Sequence, residues 1–550
     1  EWYLTTGEKK RILLNNIFGV DIDPQAVEVT KLSLLLKVLE HESRESIDQQ
    51  VKLGLEGVLP NLAGNIKCGN SLIGPDFYDK QQQQATLFDE VEMRRINVFD
   101  WNDDVKGFGE IMKCGGFDVV IGNPPYVRQE LLKEQKEYFK THYHVYQGTA
   151  DLYAYFIEKG VSLLSSEGLF SIIVANKWMR TNYGKPLRQW LKQQHIVEIT
   201  DFGDLPVFQQ STTYPCILSI KNVSPEAAFN ATQVKTLEFP DLKTYVTQYH
   251  YKVQQTSLDD NGWSLVDERT QALLDKLRKT GILLGEYVDG KIYYGIKTGL
   301  NDAFVIDSST RDKLIAEDPQ SAELIKPFLA GKDIKRYQPP CSERYLILIP
   351  KGWTKQKSEG TRDAWKWLQN NYPGVASYLK PFSEKAQKRY DKGEYWWELR
   401  TCDYYAEFEK PKIIYPNICK RPEFAFDESK KYTNQKCFII PLTDKYLLGI
   451  LNSSVNFFLF RTILPKLRGD FYEPSYVFFK DFPIRTIDFS NPVEKAQHDK
   501  LVDLVDNMLE LHKKHHEARM ERDKELYERQ IKVVDAQIDR LVYDLYGLTE

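Results

Sequence analysis

The chain has 550 residues, 42% hydrophobic and 28% charged, with a net charge of −4. That length holds about three or four domains and excludes a small disulfide-stapled scaffold, while the composition excludes a disordered or collagen-like chain. No apolar run approaches the roughly 18 residues of a membrane span, and the opening Glu1-Trp2-Tyr3-Leu4 has no leader character, so the chain reads as soluble and cytoplasmic with no membrane partner. Cys68, Cys114, Cys216, Cys341, Cys402, Cys419 and Cys437 are scattered and never spaced C-x-x-C, which suits reduced thiols rather than disulfides or a zinc knuckle.

In chain order, strand-like runs at 17–22, 117–121, 169–175, 197–202 and 216–220 alternate with helical patterns at 24–40, 151–164 and 185–194. Alternation of this kind predicts an α/β, doubly wound parallel sheet. The glutamine run 81–84 reads as a surface insertion, and 225–286 as a connecting segment. From about 287 to 487 short strands broken by Gly and Pro predict a second, mixed α+β domain. Beyond it, Leu501, Leu504, Val505, Met508 and Leu511, then Ile531, Val534, Ile538, Leu541, Val542 and Leu545, keep helical spacing, so 488–550 is expected to form two antiparallel helices or one long one. His512, His515 and His516 fall on a charged stretch and read as a solvated face, with no metal site.

Charge is uneven. Residues 326–436 hold 23 Lys and Arg against 14 Asp and Glu, and 20 aromatics, leaving −13 on the rest of the chain. A basic, aromatic-rich segment beside an acidic remainder suits a polyanionic partner for one region; an aromatic core under a solvated basic face is the alternative.

The sharpest signal is the apolar strand Asp118-Val119-Val120-Ile121-Gly122 running into Asn123-Pro124-Pro125-Tyr126. Ligands of open α/β sheets gather beyond the carboxyl ends of strands. Two successive prolines fix φ and remove two donors, leaving carbonyls that no neighbouring N–H consumes. With the Asn123 side-chain oxygen they form a stiff pair of acceptors for an amino group whose lone pair is delocalised into a ring or acyl group. Tyr126 offers a flat face for a planar base or amide.

This motif, together with Gly19-Val20-Asp21-Ile22-Asp23-Pro24, Cys68-Gly69-Asn70-Ser71-Leu72 and the stretch from Asn176 to Gly184, resembles the gamma-class N6-adenine DNA methyltransferases, in their order. The resemblance extends to the methylase and specificity portions of type IIG restriction-modification enzymes: Tyr294-Gly295-Ile296-Lys297-Thr298-Gly299-Leu300-Asn301 looks like the opening of their target recognition domain, and Lys466-Leu467-Arg468-Gly469-Asp470-Phe471-Tyr472 like its closing part. It implies a Rossmann-like methyltransferase domain over 1–224, a DNA specificity domain over 287–487, S-adenosylmethionine as cofactor and double-stranded DNA as partner. Asp21 would accept from the cofactor ribose, with Ile22, Asn70 and Ser71 along its adenine. Asn123, Pro124 and Pro125 would hold the N6 amine of an extruded adenine and Tyr126 would stack on it, with Tyr183, or in its place Trp178, as a second wall. Direct methyl transfer is governed by alignment and requires no enzyme nucleophile and no metal. Candidate DNA contacts are Lys297, Asn301, Lys335, Arg336, Lys420, Arg421, Lys466 and Arg468.

One departure stands against the pattern. The glycine-rich turn of a nucleotide-binding unit belongs about 20 residues before the acidic residue, and no G-x-G-x-x-G occurs in the sequence. The expectation is an N-terminal truncation, with weak cofactor binding and with activity belonging to a longer parent in which a nuclease domain or subunit accompanies the methylase; no convincing P-D…E-x-K pattern is present, since Pro240-Asp241 has no E-x-K close after it. The alternatives are a non-catalytic DNA recognition fragment and a protein-glutamine methyltransferase, whose amide substrate poses the same chemical problem.

Overall fold

The computed structural model describes residues 4–40, 59–78, 95–125, 135–208, 213–258, 260, 262–467 and 469–549. Tyr126, Arg468 and the glutamine run 81–84 lie outside them. Two compact units divide the chain, Glu1–Leu265 and Val266–Glu550.

The first unit begins with helix α1 (Thr6–Asn16), where the Thr5 side chain caps the Glu8 N–H, as first-turn donors require. Strand β1 (Gly19–Asp21) leads into α2 (Pro24–Leu39), whose cap is the Asp23 carboxylate on the Gln25 N–H and whose first residue is Pro24, the position where a missing N–H costs nothing. Strand β2 (Ile66–Cys68) pairs with β1 in parallel as a separate two-stranded sheet. The larger sheet contains β3 (Phe117–Gly122), β4 (Leu164–Ala175), β5 (His195–Asp201), β6 (Pro215–Lys221), β7 (Ala228–Gln233) and β8 (Tyr251–Gln254), in the spatial order β3-β4-β6-β5-β7-β8. Gly115 and Gly116, at φ 108° and 110°, make the turn into β3; a Cβ on Gly116 would meet the Leu163 carbonyl oxygen at 2.5 Å.

The expectation of a fully parallel sheet is corrected. β3 with β4 and β5 with β7 are parallel, but β6 runs antiparallel to both β4 and β5 and β8 antiparallel to β7. Parallel neighbours need a crossover of a dozen or more residues, usually a helix, and the described part of the short β5–β6 connection contains none. The segment 225–258 is likewise more than a connection, because it supplies β7 and β8. The helix Tyr153–Ser162 packs on β3 and β4, burying Tyr153, Tyr155 and Ile157 with Phe170, Ile172 and Val174 of β4 and Leu218 and Ile220 of β6.

In the second unit, a four-stranded antiparallel sheet places Tyr293–Tyr294, Cys437–Ile440, Lys412–Pro416 and Ala425–Asp427 side by side. The strand Lys412–Pro416 is buried at every position. Ile413 and Tyr415 enter one core and Ile414 a second, as alternation of side chains across a strand dictates. The first of these cores continues into a helical hairpin, Pro492–Glu517 and Glu521–Leu545, through Leu501, Val505, Met508, Val534, Ile538 and Leu541. The C-terminal helices therefore share a core with the preceding strands.

No described helix is long and apolar enough to cross a membrane, and the described residues contain no cluster of potential metal ligands.

Candidate functional site

In the first unit a cavity of about 750 Å³ lies at the carboxyl ends of β1 and β3 and along both strands, within the size range of small-molecule sites. Gly19 to Ile22 form one side, Asn70 to Leu72 a second, and Val119 to Pro125 a third. Asp21, Ile22, Asn70, Ser71, Asn123, Pro124 and Pro125 thus come together around a single space, although up to 104 positions separate them in sequence.

Local geometry fixes each wall. The Asp21 Oδ1 accepts from the Asp23 N–H at 2.8 Å, which turns the chain at the strand end and leaves the second oxygen to a ligand. The Asn70 Oδ1 accepts from the Leu72 N–H at 3.1 Å, so its amide nitrogen is the group left to donate. The Ser71 carbonyl accepts from the Trp101 indole N–H at 3.0 Å. Pro124 is buried while Asn123 and Pro125 are exposed on the cavity. β1 pairs with β2 and β3 with β4, each on one side alone among the described strands. Along the cavity Val119 is 60% and Ile121 78% exposed.

Aromatic rings supply much of the remaining wall. Phe108 meets Phe18 at 5.5 Å, Trp101 at 5.9 Å and Phe117 at 5.8 Å between ring centroids, and the Lys67 ammonium lies 4.7 Å over the Phe108 ring. Edge-on and tilted clusters of this kind brace one another. Lys159 also lines the cavity, with its pKa lowered by burial. The sequence reading did not include these residues: single phenylalanines carry no motif, and a lysine in an amphipathic helix reads as solvated.

Neither candidate for a second aromatic wall lines this cavity. Tyr183 donates from its hydroxyl to Asp151 at 3.0 Å and lies 3.4 Å from the Tyr153 hydroxyl; burial pushes its pKa up to about 12. Trp178 is fully buried against Trp263, with ring centroids 5.3 Å apart, and is a core residue.

In the second unit the candidate DNA contacts separate by what holds them. Arg336 is corrected to a structural residue: it donates to the Asn452 carbonyl at 3.0 and 2.6 Å and to Asp535 at 2.7 Å. Lys335 is paired with Glu423 at 3.4 Å and Lys297 with Asp391 at 2.7 Å. The Asn301 Oδ1 accepts from the Thr298 hydroxyl at 2.6 Å. Lys420 and Arg421 are exposed. Lys420 lies 5.1 Å over the Phe471 ring, and the bridge Cys419 to Tyr472 brings both residues beside the hairpin that carries Lys466. Lys466 pairs with Asp470 at 2.8 Å. His512 also departs from expectation: it stacks on Tyr337 at 6.2 Å, and burial with the Arg336 charge pulls its pKa down to about 4.

Comparison with known proteins agrees with the resemblance in the motifs. Residues 15–208 match the Eco57I restriction-modification methylase family and residues 326–484 the TaqI-like C-terminal specificity domain. The chain is 24% identical to the type II restriction enzyme and methyltransferase RM.Eco57I of Escherichia coli, over 98% of this chain and 55% of that protein. It is 26% identical to the type II methyltransferase M.BstVI of Geobacillus stearothermophilus, over 64% of each. The chain therefore spans between half and two thirds of the length of these relatives. Among solved structures, the type IIL restriction-modification enzyme MmeI, determined in complex with DNA, superposes with a TM-score of 0.57 at 14% identity, over 99% of this chain and 72% of that one.

Proposed function

Starting from a chain with a restriction-modification methylase domain over 15–208 and a TaqI-like specificity domain over 326–484, we propose that it acts as a site-specific DNA methyltransferase on the N6 amino group of adenine. The observation that carries this reading is the Asn123-Pro124-Pro125 corner opening onto the same cavity as Asp21 and Ile22.

The cavity suits S-adenosylmethionine. Its volume accommodates a nucleoside-sized ligand, Asp21 keeps one carboxylate oxygen for a ribose diol, and Ile22 with the aromatic cluster gives apolar walls for a purine. Among the described strands β1 and β3 each pair on one side alone along this cavity, and these edges support the reading that one more strand, with its glycine-rich loop, completes the cradle. When bound, the cofactor supplies an electrophilic methyl group. The chain's own task is alignment and electrostatics. The target base must leave the duplex; Asn123 and the Pro124 carbonyl then accept from its amine, which holds the nitrogen lone pair towards the cavity and away from the ring. Tyr126, read from the sequence, stacks on the base. The amine proton leaves to solvent after transfer, so no basic side chain is required at the corner. Base selection belongs to the second unit, with Lys420 and Arg421 among its exposed cations.

The test compares Asn123→Ala and Tyr126→Ala with the unaltered protein for methyl transfer to N6 of adenine and for duplex affinity. Transfer is expected to fall at least about 100-fold in Asn123→Ala, the scale of removing one preorganised hydrogen-bond partner, and at least about 10-fold in Tyr126→Ala, within the range for one stacked base, while duplex affinity stays within about twofold. Unaltered rates in both variants would defeat the assignment.

A further inference from the structure

Most aromatics of the basic segment are spent in the cores, including Tyr337, Trp397, Phe408, Tyr415, Phe424 and Tyr432. Tyr390 is the opposite: its side chain is 99% exposed. A tyrosine with no packing partner forgoes the burial that ordinarily places this residue, and the loop that presents it is built with unusual care.

Arg389, the residue before it, is buried and lies 4.4 Å over the Phe304 ring. Its guanidinium donates to the carbonyls of Thr298, Trp396 and Glu398. Asp391, the residue after it, takes Lys297 at 2.7 Å and Arg400 at 3.5 Å. The Lys392 N–H closes back on the Tyr390 carbonyl at 3.2 Å, and the Lys392 ammonium reaches the Gln387 carbonyl at 2.6 Å. Gly299, at φ 69°, leaves room beneath: a Cβ there would lie 3.3 Å from both the Arg389 side chain and Asp391. The Lys297-Thr298-Gly299 stretch, singled out in the sequence as an opening motif, is thus the seat of the Tyr390 loop. A rigid ring with two side-chain torsions loses little entropy on contact, and the exposed cations beside it, Lys388 and Lys392, face the same solvent.

We propose that Tyr390 is an aromatic wedge that enters the base stack of duplex DNA, with Lys388 and Lys392 holding phosphates on either side. The inference rests on the DNA reading above and adds to it a residue that reads deformability rather than base edges. Side chains inserted between base steps unstack and kink a duplex, and steps that unstack easily are then preferred. The Arg389 anchor is what allows insertion, because a loop free to fold back would yield under the load.

The test begins with duplexes that the unaltered chain retains from a pool with a randomised centre, followed by 2-aminopurine substituted at each position in turn. The unaltered protein is expected to raise emission at one step. Tyr390→Ala should abolish that signal and weaken binding about tenfold, within the range for one base stacked on an aromatic side chain. Tyr390→Trp and Tyr390→Phe should keep both. Full exposure of Tyr390 predicts an unchanged unfolding midpoint in all three variants. Lys388→Ala with Lys392→Ala should reduce the dependence of log affinity on log salt by about two, one per phosphate. Affinity within twofold for Tyr390→Ala, with the emission profile intact, overturns the wedge while leaving DNA binding standing; failure of the unaltered chain to retain any duplex overturns both.

Discussion

Lys412 and Arg336 both come from the basic segment, and both have their charge consumed inside the fold. Lys412 is fully buried, 2.7 Å from an equally buried Asp427, and donates also to the Phe408 carbonyl at 2.7 Å. Asp427 accepts in turn from Ser429 and from the Lys431 N–H. Burial lowers the Lys412 pKa; it works against the Asp427 charge as well, but the lysine outweighs it and keeps the carboxyl below its usual value. Desolvating two ions is costly, so such a pair contributes little net stability relative to apolar residues, yet removing one member strands the other at a cost of about 3–5 kcal/mol. Asp427→Asn is therefore expected to lower the unfolding midpoint sharply, and the double replacement Lys412→Met with Asp427→Leu to recover most of the loss. An unshifted midpoint in the single variant would show that the pair is hydrated in solution.

At the scale of elements, the C-terminal hairpin is held by its apolar stripes and by polar contacts, among them Lys445 to Asp506, Ser454 to Asp539 and two from the basic segment. Arg336 reaches Asp535 of the second helix, and His512 of the first stacks on Tyr337. The His512 pKa of about 4 lies below its ordinary 6.5, so between those values the unfolded chain binds the proton and the folded chain does not. Stability is present above about pH 6.5 and is lost as pH falls towards 4, by an amount up to about 3 kcal/mol for a shift of this size. His512→Phe, which keeps a ring on Tyr337, should flatten that limb in unfolding midpoints taken from pH 7 to 4; a limb as steep as that of the unaltered chain would assign it to other groups. The same elements show what was legible in sequence. The helical stripes from Leu501 and from Ile531 and the strands ending at Asp21 and Gly122 depend on local periodicity, and they form where the pattern places them. Asp21, Asn70 and Asn123 meet on one cavity because each stands at a strand end, a position that sequence defines. The antiparallel course of β6 and the placement of β7 and β8 depend on pairing across the sheet. The Phe18, Trp101 and Phe108 wall, the loss of Arg336 to the Asp535 pair and that of Trp178 to the core depend on packing between segments far apart in the chain. No local pattern encodes either.

Across the whole molecule, the surplus of nine positive charges in residues 326–436 stands against −13 on the rest. At 0.1 M salt exposed charges more than about 10 Å apart are largely screened, so a cation is cancelled by a carboxylate in contact with it, as Asp535 cancels Arg336, and cations in contact with phosphates set the salt dependence. A DNA-binding protein releases about 0.9 counterion per phosphate neutralised. The net charge then predicts nothing about the slope; the exposed and unspent cations predict it. Lys420→Ala with Arg421→Ala in the full chain should cut the dependence of log affinity on log salt by about two and weaken binding about equally for all sequences. Arg336→Ala should leave that slope unchanged, because its guanidinium is held by Asp535 and the Asn452 carbonyl. Anisotropy titrations of one duplex from 50 to 200 mM salt, about the range over which such contacts are resolved, separate the two. Equal slopes for the unaltered chain and the Lys420 and Arg421 double variant would remove this surface from the DNA interface and return the basic segment to a solvated face over an aromatic core.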